Sequence, residues 1–157
     1  MQKIPMTKQG YEVLEQELKN LKEKERPNII VAIAEAREHG DLSENAEYHA
    51  AREKQSFIEG RIAEVESIIS LADVIDPISV AHETVRFGAT VVITDCETDV
   101  EKKYQIVGDP EANLEQSKIS LSSPLAKSLI GKEEGDVVSV RAPGGNREYE
   151  IIEIIYK

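Results

Sequence analysis

The sequence predicts an α+β protein, an N-terminal antiparallel two-helix coiled coil followed by a small antiparallel β-sheet domain with one short helix. Three observations carry this reading. Apolar positions keep a heptad spacing from Tyr48 to Ala72, the hydrophobic period shortens after residue 78, and a capped short helix is written between Ser123 and Gly131. The boundary falls at 77/78, with residues 1–77 as the coiled-coil hairpin with an acidic tip and residues 78–157 as the globular domain.

The first arm is signalled by Tyr11, Leu14, Leu18 and Leu21, which step by 3, 4 and 3. Pro27 interrupts it, and either restarts a helix at its first position or kinks a continuous one. A turn at His39-Gly40-Asp41 then reverses the chain. The second arm carries Tyr48, Ala51, Gln55, Ile58, Ile62, Val65, Ile69 and Ala72, alternating steps of 3 and 4. A sustained 3.5 period is a left-handed coiled-coil seam, and about 30 residues at about 1.5 Å each give an arm roughly 45 Å long. Beyond residue 78, strands are expected at Val85–Thr94, Lys102–Val107, Lys118–Leu121, Val137–Arg141 and Glu148–Tyr156, separated by Gly-, Pro- and Asn-containing turns. Ser123 is placed as an N-cap, Pro124 as the first helical residue and Gly131 as the stop.

Composition narrows the function. The 157 residues carry 19 Lys+Arg against 30 Asp+Glu, a net charge of −11. Ten basic residues face sixteen acidic ones before the boundary, and nine face fourteen after it, so the acidity is no tail. A protein that finds nucleic acid or a membrane surface by its own field needs a basic footprint. Five Tyr, two Phe and no Trp make a poor base-stacking platform. The single Cys96 makes no internal disulfide or zinc knuckle, and no stretch reads as a signal peptide or membrane span. A soluble, cytoplasmic protein is expected.

Chemistry is sought at the hairpin turn. Asp41 and Glu44 stand three apart, the spacing of a capping box at the start of the second helix. They are equally two hard oxygen donors suited to a divalent cation such as Mg²⁺, too few to hold it alone but sufficient as half of a site that a partner completes. Both roles stay open on spacing. Glu44, Tyr48 and Arg52 step by four along one expected helical face, and Arg37 and Arg52 form a small cationic patch beside the acids, which reads otherwise as an ordinary solvated face. His39 and His49 have no ligand partners at metal spacing and read as turn and surface residues.

At these residues the chain becomes familiar. Ile33-Ala-Glu-Ala-Arg-Glu-His-Gly-Asp-Leu-Ser-Glu-Asn-Ala-Glu-Tyr-His-Ala-Ala-Arg52, Phe87-Gly-Ala-Thr-Val, Tyr104-Gln-Ile-Val-Gly-Asp and the run Ser122–Asp136 closely resemble the Gre family of bacterial transcript cleavage factors, over essentially the whole chain. The resemblance implies an FKBP-like globular domain that docks at the rim of the secondary channel of RNA polymerase, with Ser122, Ser123, Pro124, Gly131 and Asp136 in the docking motif. It implies that the coiled coil enters the channel, and that Asp41 and Glu44 help hold a catalytic Mg²⁺ and position the attacking water. The substrate is then the backtracked nascent RNA 3′ end, touched by Arg37 and Arg52. The limited basic patch implies the branch of the family with short cleavage products. The factor would be no enzyme by itself, and a monomer is expected. Three competitors remain: a secondary-channel inhibitor of the same architecture, a peptidyl-prolyl isomerase and a dimerising coiled coil.

Overall fold

A computed structural model describes residues 2–40 and 42–157. In chain order the elements are β1 (Ile4–Thr7), α1 (Lys8–Asn20), a π-helical turn (Leu21–Glu25), α2 (Arg26–Arg37), α3 (Ala46–Leu71), β2 (Ala72–Ile75), β3 (Thr90–Asp95), β4 (Glu101–Val107), β5 (Lys118–Ser120), α4 (Pro124–Leu129), β6 (Val137–Ala142) and β7 (Gly145–Ile155). They fall into two compact units, Tyr11–Leu71 on the one hand, and the segment up to Gly10 with Ala72–Lys157 on the other.

The helical unit is a hairpin. Ala36 meets Asn45, Arg26 meets Glu59 and Lys22 meets Glu66, so the arms run antiparallel. Every seam position from Tyr48 to Ala72 is buried or half-buried, and Ile58, Ile62 and Val65 are almost fully enclosed. Ile29 packs on Ile58 and Ile62, flanked by Leu18, Leu21 and Ile33. The seam ends one residue early as a helix, because Ala72 opens β2. Pro27 neither breaks nor restarts the first arm. Glu25 and Arg26 keep helical angles, and the Arg26 amide donates to the Leu21 carbonyl in an i→i+5 bond. A π-turn placed just before a proline absorbs the missing donor and the ring's bulk.

Ion pairs stripe the hairpin's surface. Arg26 grips Glu59 through two 2.8 Å bonds, and Arg61 holds Glu17 at 2.5 and 2.8 Å and Glu64 at 2.7 Å. The Arg61 hydrogen bonds hold the Glu17 carboxyl below its ordinary value of 4.5, despite partial burial that pushes it up. A depressed carboxyl stabilises the folded state above its ordinary pKa, and that contribution is lost as pH falls through the folded value. The melting temperature of the helical signal in circular dichroism is therefore expected to drop with acidification below about pH 4.5. The Glu17→Gln variant should show a shallower drop; an unchanged slope would remove Arg61–Glu17 as its source.

In the other unit, the five strands take the order β5-β4-β3-β7-β6. Residues alternate along β3, so Val91 and Ile93 turn into a core with Ile106, Leu129 and Ile151, all fully enclosed. Pairing is antiparallel except between β4 and β5, which is parallel, so the sheet is mixed where an antiparallel one was expected. The connection from β4 to β5 passes through two short 3₁₀ turns at Asp109–Glu111 and Leu114–Gln116 instead of a hairpin, which brings β5 in alongside with the same direction. The partner of β3 slips from Glu153 to Ile151 between Val92 and Ile93, a β-bulge at Ile152.

The sequence reading contains no strand at the N-terminus, yet β1 pairs in parallel with β2, Ile4 opposite Ala72 and Thr7 opposite Ile75. This groups the first ten residues and Ala72–Pro77 with the sheet unit, where residues 1–77 were expected to be hairpin. Glu111 secures the added strand. Its carboxylate accepts from the Thr7 amide at 2.9 Å, from the Thr7 hydroxyl and from the Gly108 amide at 2.9 Å. Thr7 is the N-cap of α1, its hydroxyl accepting from the Gly10 amide at 3.1 Å.

Candidate functional site

The hairpin loop is built from the end of α2. The amides of Glu38 and His39 donate to Glu35 and Ala36 carbonyls at 3.2 and 3.1 Å, tightening the last helical turn. Gly40 then takes φ +113°, a left-handed conformation that a side chain rarely adopts. Leu42–Glu44 form a turn, and α3 begins at Ala46.

The cap of α3 is Asn45. Its Oδ1 accepts from the Tyr48 amide at 3.0 Å, and its Nδ2 donates to the Ala36 carbonyl at 2.5 Å. One side chain thereby starts the second arm and ties it to the end of the first. Asparagine directly before a helical run is among the strongest N-cap signals, whereas the Asp41-x-x-Glu44 spacing predicts a cap four residues earlier. Two expectations change accordingly. Glu44 is not the third residue of a helix and completes no capping box, and it shares no helical face with Tyr48 and Arg52, because it precedes α3. Asp41 lies outside the described residues.

Glu44 is exposed. With His39, Asn45, Ala46 and Glu47 it lines an open cavity of about 420 Å³. His39 Nε2 stands 3.8 Å from a Glu47 oxygen, and His49 Nε2 lies 3.3 Å from the Ser43 carbonyl, so both histidines belong to the loop's own framework. The His49 ring also meets Tyr48 edge-on, with centroids 5.6 Å apart. Arg37, in the last turn of α2, and Arg52, in the second turn of α3, are both exposed on the arms that flank the loop. For a hard divalent cation the donor chemistry of Glu44 fits, since a free carboxylate oxygen is what such an ion takes. No group of three or more His, Cys, Asp or Glu gathers among the described residues.

The residues expected to dock lie in the sheet unit. Ser123 caps α4, its hydroxyl accepting from the Ala126 amide at 3.2 Å, with Pro124 at the first helical position. Ser122 Oγ donates to Asp109 at 2.8 Å, and Ser120 Oγ bonds the same carboxylate. These two hydroxyls hold the Asp109 carboxyl below its ordinary value. Beyond α4, Gly131 takes φ +87° while its amide donates to the Val85 carbonyl at 2.8 Å, and Asp136 accepts from the Glu133 amide at 2.9 Å. Ser122 and Ser123 end the connection after β5, and Pro124 opens α4. Ser123, Gly131 and Asp136 shape the cap and the turns, and every member of the set is exposed except the half-buried Ser123.

Among the described residues no helix is long and apolar enough to cross a membrane. The N-terminal domain of transcription elongation factors matches residues 4–74, and the C-terminal domain of the GreA/GreB transcription elongation factors matches residues 80–156. Transcription elongation factor GreA of Ruegeria pomeroyi is 62% identical over 156 residues, covering 99% of each chain. That of Acidiphilium cryptum is 64% identical over 154 residues, covering 98% of each. A solved structure of GreA factor homolog 1 (Gfh1) of Thermus thermophilus shares 31% identity over 98% of this chain and 99% of that one, with a TM-score of 0.45. Two family domains that together span nearly all residues, and relatives above 60% identity over their full length, lead to one conclusion: the chain belongs to the GreA/GreB family of transcription elongation factors.

Proposed function

We propose that this factor enters the secondary channel of RNA polymerase and stimulates hydrolysis of backtracked nascent RNA, so that arrested complexes resume. The observation that carries the reading is the division of labour at the loop. Asn45 caps α3, and Glu44 is left exposed beside the arm ends with no part in starting the helix. A carboxylate that the fold does not consume is available to chemistry supplied by a partner.

In this reading Glu44 and Asp41 present carboxylate oxygens where polymerase already holds the RNA, and orient the attacking water. Glu44 and Asp41, together with polymerase, would hold Mg²⁺, which would supply charge stabilisation to the attacking and leaving oxygens of the phosphodiester. Arg37 and Arg52 contact phosphates of the extruded RNA, while Ser122, Ser123 and Pro124 at the start of α4, with Gly131 and Asp136, dock the sheet unit on polymerase. The chain carries part of a site, and the polymerase performs the hydrolysis. Arrival by docking also reconciles the site with a net charge of −11, because nothing here requires long-range attraction to RNA.

The test is a stalled ternary complex with Mg²⁺, with and without the factor. New shortened transcripts are expected with it; intact transcripts and slowed elongation would establish an inhibitor instead. Replacing Arg52 with Ala is expected to raise the factor concentration needed on backtracked complexes roughly fivefold, the equivalent of one partly exposed ionic contact. Binding to polymerase without RNA should stay unchanged. An equal loss in both would take the RNA contact away from Arg52.

A further inference from the structure

We infer that Asn45 is a positioning residue for Glu44, holding the base of the loop in place through its bond to Ala36. The inference rests on the functional reading above. The loop from Glu38 to Glu44 joins two helix ends, and Asn45 closes it at the base with opposite sides of a single amide. The oxygen starts α3 at the Tyr48 amide, and the nitrogen reaches across to the Ala36 carbonyl at 2.5 Å. That carbonyl also accepts from the His39 amide at 3.1 Å, so the last turn of α2, the start of the loop and the start of α3 meet at one oxygen atom.

The two functions of this side chain are chemically separable. Capping needs only an acceptor, which Ser and Asp supply about as well as Asn. Bridging needs a donor that reaches the Ala36 carbonyl, which a carboxylate lacks and a serine hydroxyl is too short to provide. Removal of the bridge leaves α3 intact and frees the loop. Glu44 is the immediate chain neighbour of Asn45, so freedom in the loop passes directly to its carboxylate. Small misplacements of a catalytic group lower rate far more than they lower binding.

The experiment compares wild type, Asn45→Asp, Asn45→Ser and Glu44→Gln in stimulated cleavage of stalled complexes, as a function of factor concentration. It is accompanied by amide hydrogen exchange of the free factor. Asn45→Asp and Asn45→Ser are both expected to lower the maximal rate roughly 10- to 100-fold. The half-saturating concentration should change less than about twofold, since binding is untouched. Exchange should quicken over residues 38–45 while the Tyr48 amide stays protected. Using both variants separates loss of the bridge from the added charge of Asp. Wild-type maximal rates for both, beside an inactive Glu44→Gln, overturn the positioning role and leave the functional reading standing. A fully active Glu44→Gln overturns the functional reading, and this inference with it. Loss of Tyr48 protection in both variants also overturns it, because the damage would then lie in the helix and not in the bridge.

Discussion

Glu44→Gln is expected to reduce factor-stimulated transcript cleavage by roughly 100-fold or more, the upper range for groups supporting a metal site and a lower bound for one that donates to it. The loss should appear entirely in the maximal rate. Glu44 is exposed and plays no part in capping α3, so the substitution should change stability by no more than about 0.5 kcal/mol. The amide of Gln keeps the size of the side chain and removes its charge, which isolates the electrostatic contribution. Asp41→Asn is expected to behave likewise. Competition between the variants and wild type for polymerase, measured beside cleavage, checks the split. Inactive variants should compete as well as wild type and so act as inhibitors of its stimulation. If both variants cleaved at the wild-type rate, the carboxylates would have no share in the chemistry.

Glu111→Ala is expected to carry the second large effect, a loss of roughly 2–4 kcal/mol in the stability of the sheet unit. Thr7 is only 2% exposed, and its amide and hydroxyl both donate to the Glu111 carboxylate, as does the Gly108 amide. Truncation leaves buried donors without acceptors and releases β1 from the turn beneath it. Losing a hydrogen bond to a charged acceptor costs more than losing a neutral one. Denaturant titration followed by near-ultraviolet circular dichroism measures the loss, and Glu111→Gln should fall between alanine and wild type because one oxygen remains. Gly108→Ala should be comparably damaging, since an added Cβ would come within 2.0 Å of the Pro5 carbonyl oxygen. Wild-type stability in Glu111→Ala would show that β1 is held by its pairing with β2 alone.

How far the site was legible depends on the range of the interactions that form it. The residues of the tip could be named from the motif, but their roles could not be separated. Asp41-x-x-Glu44 fits a capping box and a pair of metal ligands equally well as a string of letters. The capping role of Glu44 falls away only when α3 is seen to begin at Ala46, with Asn45 filling the cap. Helix ends are set by packing and turn geometry that periodicity does not encode, and here the cap lies four residues beyond the expected Asp41. In this hairpin that shift takes Glu44 out of the helix start and leaves its carboxylate exposed. Pro27 shows the same limit, because a kink, a break and a π-turn begin from the same residue.

Alone, the sequence determined the elements whose signals are local. The heptad seam from Tyr48 needs only a repeat of 3.5 residues along one chain, and its positions are indeed the buried ones. The helix from Pro124 to Leu129 needs only a capping serine, a proline and a glycine stop, all of which take their expected places. The family membership likewise rests on contiguous motifs. Tertiary structure decided what depends on partners distant in the chain. The parallel pairing of β1 with β2, the parallel seat of β5 beside β4 and the Glu111 clasp on Thr7 are of this kind. Four residues such as Ile4–Thr7 are too few to establish a period, and a strand's hydrogen bonds lie outside itself, so its existence is settled by whatever edge the rest of the fold offers.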